Sequence, residues 1–142
     1  MFPSDIKIFA VFGNPVAHSL SPLMHQAAFN RMGLKAQYVP FCVKDIGKAV
    51  EGIRGLDIQG VSVTLPFKTE VMNFLDEVEE DAHRIGAVNT IQNNQGRLTG
   101  YNTDWQGFVL SLKEGLKIRG KQFAVIGAGG AARSRAYPGP GA

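Results

Sequence analysis

The segment Val61-Ser62-Val63-Thr64-Leu65-Pro66-Phe67-Lys68 ends an apolar run on two chemically able residues, Thr64 and Lys68. Pro66 pre-sets a helix start, which predicts Lys68 in the first helical turn. The helix dipole is positive there and opposes a cation, so a lysine so placed suits proton transfer. Taken alone, a lysine is far more often a solvated surface charge. Further along, Gly100-Tyr101-Asn102-Thr103-Asp104 sets Asp104 after a strand and at the opening of a helix. As an N-cap, Asp104 would contribute about 1 kcal/mol. As a partner to Lys68, it would orient the ammonium.

Two further clusters can hold a ligand without reacting with it. In His18-Ser19-Leu20-Ser21-Pro22 two hydroxyls lie two residues apart beside a helix start. Hydroxyl donors and free helical N–H groups suit a carboxylate, although capping alone accounts for serine at such a place. Gly86-Ala87-Val88-Asn89-Thr90 offers Asn89, whose amide can donate to and accept from a sugar-like hydroxyl or can close a turn. Val125-Ile126-Gly127-Ala128-Gly129-Gly130-Ala131-Ala132 has the form of a strand followed by a glycine loop. That is how a dinucleotide fold opens: Gly127 permits a tight turn and Gly129 lets the backbone approach a pyrophosphate. The pattern is weak without a following helix, a second strand and a ribose-selecting residue. Only 12 residues follow Gly130, and Pro138-Gly139-Pro140-Gly141 cannot continue a helix.

The elements that must position these residues alternate between strand and helix. Strands are expected at 6–12, 37–43, 58–65 and 122–126, with a hairpin of 87–92 and 97–102 around Asn93-Asn94-Gln95-Gly96. Helices are expected from Ser21-Pro22, with Met24, Ala28 and Met32 facing inward, and from Asp45, with Ile46, Ala49, Val50 and Ile53 inward. Others are expected from Pro66, over 77–85 as a short exposed acidic helix, and from Thr103 or Asp104 with Trp105, Phe108, Val109, Leu112 and Leu116 on one face. The fold class is α/β: a mixed, mostly parallel sheet with helices on both faces, followed by the first strand and glycine loop of a Rossmann domain. Every polar cluster falls after a strand or at a helix start, where such sheets bind ligands.

Composition narrows the functional classes. The chain has 142 residues, 44% hydrophobic and 19% charged, as a soluble globular protein does. Cys42 is the only cysteine, so an internal disulfide is excluded and a reducing compartment fits. No apolar run nears the roughly 20 residues needed to cross a bilayer. The first residues lack a secretory signal, and a cytoplasmic location is expected. A net charge of +3 is spread rather than striped, which argues against nucleic acid and for an anionic small molecule. His18, His25 and His83 lack metal-ligand spacing, so no metal is expected.

In their order along the chain, the stretches 13–22, 60–68, 86–91, 102–108 and 125–133 together resemble the shikimate dehydrogenase family. The resemblance reaches Arg133. It implies reduction of 3-dehydroshikimate to shikimate with NADPH, in aromatic amino-acid (chorismate) biosynthesis. It implies that Ser19 and Ser21 bind the substrate carboxylate and that Thr64, Asn89 and Asp104 hold its hydroxyls. Lys68 looks like the catalytic lysine and Asp104 its paired acid, while Gly127, Ala128, Gly129, Gly130 and Ala131 match the NADP loop. The expected organisation is a substrate-binding domain over 1–103, then a linking helix and the start of an NADP-binding domain over 104–142. Members of the family continue through a whole nucleotide-binding domain. The chain is therefore expected to be truncated, with 134–142 a tail foreign to the family, binding substrate but inactive alone. An NAD-using quinate/shikimate dehydrogenase and a non-catalytic shikimate-binding module are the alternatives. A homodimer is left open.

Overall fold

A computed structural model describes residues 5–115, 122, 124–137 and 139. Its centre is a six-stranded sheet in the order β2-β1-β3-β5-β6-β4. The strands are β1 (Lys7–Gly13), β2 (Ala36–Cys42), β3 (Gly60–Val63), β4 (Glu77–Val78), β5 (Thr90–Asn94) and β6 (Arg97–Tyr101). β1 pairs in parallel with β2 and β3, and β4 with β6, whereas β5 runs antiparallel to both β3 and β6. The expected mixed α/β sheet is thus observed.

Side chains alternate across a strand, and β1 shows how that divides the core. Ala10 and Phe12 face the larger cluster, built with Ile46, Val50 and Ile53 of α2 (Ile46–Gly55), Val71 and Ala82. Phe9 and Val11 face the opposite side, where they pack with Tyr38 of β2 and Phe29 of α1 (Ser21–Arg31). Helix α2 begins as expected: the Asp45 carboxylate accepts from the Lys48 N–H at 3.0 Å.

Several elements differ from expectation. α1 turns His25 and Phe29 inward, while Met24 and Met32 are exposed. The aromatic rings decide this orientation: His25 stacks on Tyr38 with centroids 4.3 Å apart, and Phe29 tilts against Phe9 at 5.1 Å. Past Pro66 the chain makes turns and then only a short 3-10 helix, Glu70–Phe74. Residues 77–85 divide into β4 and α3 (Glu80–Ile85), whose Ala82 and Ile85 are buried rather than exposed. The hairpin turn is tighter than predicted. Asn93 and Asn94 stay in β5, and Gln95 and Gly96 alone turn, both at positive φ. Asn93 stabilises that turn by accepting from the Gly96 N–H and donating to the Ile58 carbonyl.

Of the strand predicted at 122–126, residues 122 and 124–126 are not part of the sheet, and residue 123 lies outside the described residues. Ala124–Ile126 is exposed and unpaired, with Ile126 fully open to solvent. Among the described residues no neighbouring strand offers it a ladder. The glycine loop does lead into a helix, α5 (Gly130–Ala136), which packs against α4 (Asp104–Gly115). The first residues of the stretch read as a foreign tail, 134–136, continue that helix. Leu116, expected on the α4 face, lies outside the described residues.

Candidate active site

Lys68 and Asp104 come together. Lys68 Nζ donates to Asp104 Oδ2 at 2.5 Å, with the lysine side chain mostly buried and the carboxylate about one-third exposed. Two local arrangements set this meeting. The Lys68 carbonyl accepts from the Val88 N–H at 2.7 Å, which fixes the turn after β3 against the segment entering β5. Asp104 is the first residue of α4, separated from the end of β6 by Asn102 and Thr103, and its N–H donates to Asn102 Oδ1 at 3.1 Å. Lys68 lies in turns before a 3-10 helix and so lacks the helical first turn predicted for it. Its neighbour is a carboxylate instead of a helix dipole.

Asn89 holds the other side of the same carboxylate. Its Nδ2 donates to Asp104 Oδ1 at 2.8 Å and to Thr103 Oγ1 at 3.0 Å, and its Oδ1 accepts from the Thr103 N–H at 2.9 Å and from Thr90 Oγ1 at 2.9 Å. Both ends of this amide are therefore already engaged. Its observed work is to position Asp104, and a ligand hydroxyl would have to replace one of these partners.

Thr64 follows β3 directly, beside Gly13. Its N–H donates to the Phe12 carbonyl at 2.9 Å. Among the described residues its hydroxyl has no hydrogen-bond partner, which leaves it available. A methyl group on Gly13 would fall 2.4 Å from Thr64 Cγ2, so the β1 and β3 ends touch only because residue 13 lacks a side chain. Asn14 extends the link: its N–H donates to the Leu65 carbonyl at 3.0 Å and its Nδ2 to the Val43 carbonyl at 3.1 Å.

Ser19 and Ser21 follow on that same β1–α1 loop. Ser21 is the first helical residue rather than the cap, which is Leu20. A turn in which the Ser19 N–H donates to the Val16 carbonyl folds the loop back, and Ser19 Oγ then accepts from the Ser21 N–H at 3.3 Å. Among the described residues no hydrogen bond joins Ser19 or Ser21 to Thr64, Lys68, Asn89 or Asp104.

The cavity at the Lys68–Asp104 pair measures about 300 Å³ and is lined by Gly107, Phe108, Ser111, Ala131 and Arg135. It thus opens between the pair and α5. Gly127, Ala128 and Gly129 are exposed, whereas Gly130 is partly covered by Lys68 itself. A methyl on Gly130 would lie 2.8 Å from Lys68 Cβ and 3.2 Å from Ala87 Cβ. Gly130 is required for close packing here, whatever it does for a nucleotide.

Sequence reasoning missed three polar residues. Asn102 and Ser134 are buried and bonded to each other, and Tyr38 donates to Ser62 Oγ at 2.7 Å on the α1 face. Burial raises the Tyr38 phenol above its ordinary pKa, against the lowering effect of its Ser62 hydrogen bond. Asn102 sits within the Gly100–Asp104 cluster without any local sign of its burial, and Tyr38 and Ser134 lie outside the clusters, so only spatial proximity reveals the three. Among the described residues no cluster of metal-ligating side chains occurs, and no helix is long and apolar enough to cross a membrane.

Residues 11–91 match the family profile described as the shikimate dehydrogenase substrate binding domain. The chain belongs to that family. It is 56% identical over 131 residues to the shikimate dehydrogenase (NADP(+)) of Geobacillus kaustophilus, an alignment covering 89% of this chain and 48% of the relative. The crystal structure of shikimate dehydrogenase from Aquifex aeolicus superposes with a TM-score of 0.92 at 43% identity, covering 96% of this chain and 53% of that one. Shikimate 5-dehydrogenase from Thermus thermophilus, solved in complex with shikimate, superposes with a TM-score of 0.86 at 42% identity, covering 92% and 51%. The chain spans about half the length of the relatives it matches.

Proposed function

We propose that this chain forms the substrate-binding half of an NADPH-dependent shikimate dehydrogenase, which reduces 3-dehydroshikimate to shikimate. The observation that carries the reading is the Lys68–Asp104 pair, with Asn89 on the second carboxylate oxygen, at the mouth of a cavity beside a glycine loop. The names of the relatives and the shikimate held by the Thermus enzyme support it.

In this reading Ser19 and Ser21 face the ring carboxylate, and the available Thr64 hydroxyl takes a ring hydroxyl. Lys68 donates a proton to the carbonyl oxygen as that oxygen becomes an alcohol, and Asp104 keeps the ammonium aimed. Bound NADPH supplies the hydride to the carbonyl carbon. The residues present fit the opening of a nucleotide site. Gly127 adopts positive φ, Gly129 is extended, and an added side chain on Gly129 would meet nothing nearby. Gly127, Ala128 and Gly129 would run beside the pyrophosphate, with Gly130 and Ala131 beginning the helix behind it. The preference for NADP over NAD rests on the relatives' names.

For the 142-residue polypeptide by itself, we infer ligand binding without turnover. Residues 124–126 form no strand and α5 has only seven residues, which is little with which to hold a nicotinamide in line. Poor orientation forfeits on the order of 7–11 kcal/mol of rate advantage. Calorimetric titration with shikimate, beside NADPH oxidation with 3-dehydroshikimate, tests both statements. Saturable binding without oxidation is expected. Absence of binding would refute the substrate reading, and oxidation abolished by Lys68→Ala would refute the inference of inactivity.

A further inference from the structure

We propose that Asn102 is a positioning residue for the Lys68–Asp104 pair, locked by Ser134 to the helix that follows the glycine loop. The inference rests on the functional reading above for its consequence, but its geometry is independent of any ligand.

Asn102 is 4% exposed and Ser134 1% exposed. Polar side chains so deep in a protein are normally fully bonded, and these are bonded to each other. Asn102 Nδ2 donates to Ser134 Oγ at 2.9 Å and to the Ala87 carbonyl at 2.9 Å, while its Oδ1 accepts from the Asp104 N–H at 3.1 Å. Ser134 Oγ donates onward to the Gly130 carbonyl at 2.8 Å. Gly130 in turn packs on the Lys68 stem. The contacts close a circuit: Lys68, Asp104, Asn102, Ser134, Gly130 and back to Lys68.

Parts of this circuit have ordinary local explanations. An asparagine bonding the N–H two residues on commonly starts a helix, and a helical serine commonly bonds the carbonyl four residues back. Neither habit explains a buried bond between side chains 32 residues apart. That bond ties α5 to the segment that opens α4. One side chain thereby sets the glycine-loop helix and the carboxylate that aims Lys68 in a common frame. Arg133 braces the same junction by donating from Nη1 to the Gly86 carbonyl at 3.3 Å.

The test uses the isotope-labelled 142-residue chain and the side-chain amide of Asn89, which donates to Asp104 Oδ1 and so reports where that carboxylate sits. Ser134→Ala removes the lock but leaves Asn102 its bonds to Ala87 and Asp104, so the fold is retained even if Asn102→Ala proves unstable. In Ser134→Ala the Asn89 amide resonances should move and exchange faster with solvent, while core amides such as those of Val61 and Ile91 keep their protection. Shikimate affinity should fall about threefold to tenfold, the equivalent of one hydrogen bond. Asn89 resonances that stay at their wild-type positions in Ser134→Ala would overturn the proposal, as would a uniform loss of protection across the chain. A wild-type chain that fails to bind shikimate would refute the functional reading, and the amide result would still decide the role of Asn102.

Discussion

Lys68 Nζ and Asp104 Oδ2 meet at 2.5 Å across a sequence separation of 36 residues. The pair depends on the hairpin between them. β5 and β6 return the chain so that Asp104 opens α4 beside the turn that carries Lys68, and Asn89, on the approach to β5, braces the carboxylate from the other side. Asp104→Ala removes the acceptor from Lys68 and from Asn89 together. Shikimate affinity is expected to fall about tenfold or more, as for loss of a charge-assisted hydrogen bond. Calorimetry with the variant measures this, and unchanged affinity would remove Asp104 from the site.

Gly13 predicts a second effect. Any side chain there overlaps Thr64 Cγ2 at 2.4 Å and crowds the Leu65 carbonyl at 3.3 Å. Gly13→Ala must therefore push the β1 and β3 ends apart, at a cost of about 1–3 kcal/mol. Denaturant unfolding should show that loss, and shikimate binding should weaken with it, because the serine loop and Thr64 move relative to one another.

The elements around the site are legible in the sequence where the signal is local. Gly13-Asn14-Pro15, the Asp45 cap and a turn within Asn93–Gly96 all act within a few residues, and each marks a boundary the structure contains. Lys68 and Asp104 are identifiable because each follows a strand, where sheets of this class bind ligands. The orientation of α1 is not legible, since its inward face is chosen by the stacking of His25 on Tyr38 and not by the apolar period of Met24 and Met32. The backbone around Lys68 is not legible either, although its partner Asp104 is, because Pro66 suits the first turn of an α-helix and the chain forms turns there instead. The Asn102–Ser134 bond leaves no trace in the sequence, because its two ends lie 32 residues apart and neither shows a local sign of burial.

Asp76 predicts a dependence on acid. Its carboxylate accepts from the Leu98 N–H at 2.7 Å and from Arg54 Nη2 at 2.8 Å. The backbone N–H first, and then the Arg54 guanidinium, hold its pKa below the ordinary carboxylate value. The charged form therefore favours the folded chain. That contribution is fully present above the unfolded pKa, near 3.9, and is lost as pH falls through the lower folded value. The stability gap between wild type and Asp76→Asn should be largest at neutral pH and should close in strong acid. Because Asp76 is at the surface, salt should shrink the gap. Urea midpoints for both proteins across that range measure it, and a gap that widens in acid would contradict the assignment.

The central claim is that the loops of Ser19–Ser21, Thr64–Lys68, Asn89 and Asp104 surround one ligand. Shikimate titrated into the isotope-labelled chain, followed by the backbone amide resonances, tests it most directly. Saturable shifts are expected at residues 19–21, 64–68, 89 and 102–104, absent in Lys68→Ala at the same ligand concentrations. Shifts confined to the groove lined by Tyr38, Ser62 and Gln92, or no saturable shifts at all, would contradict it.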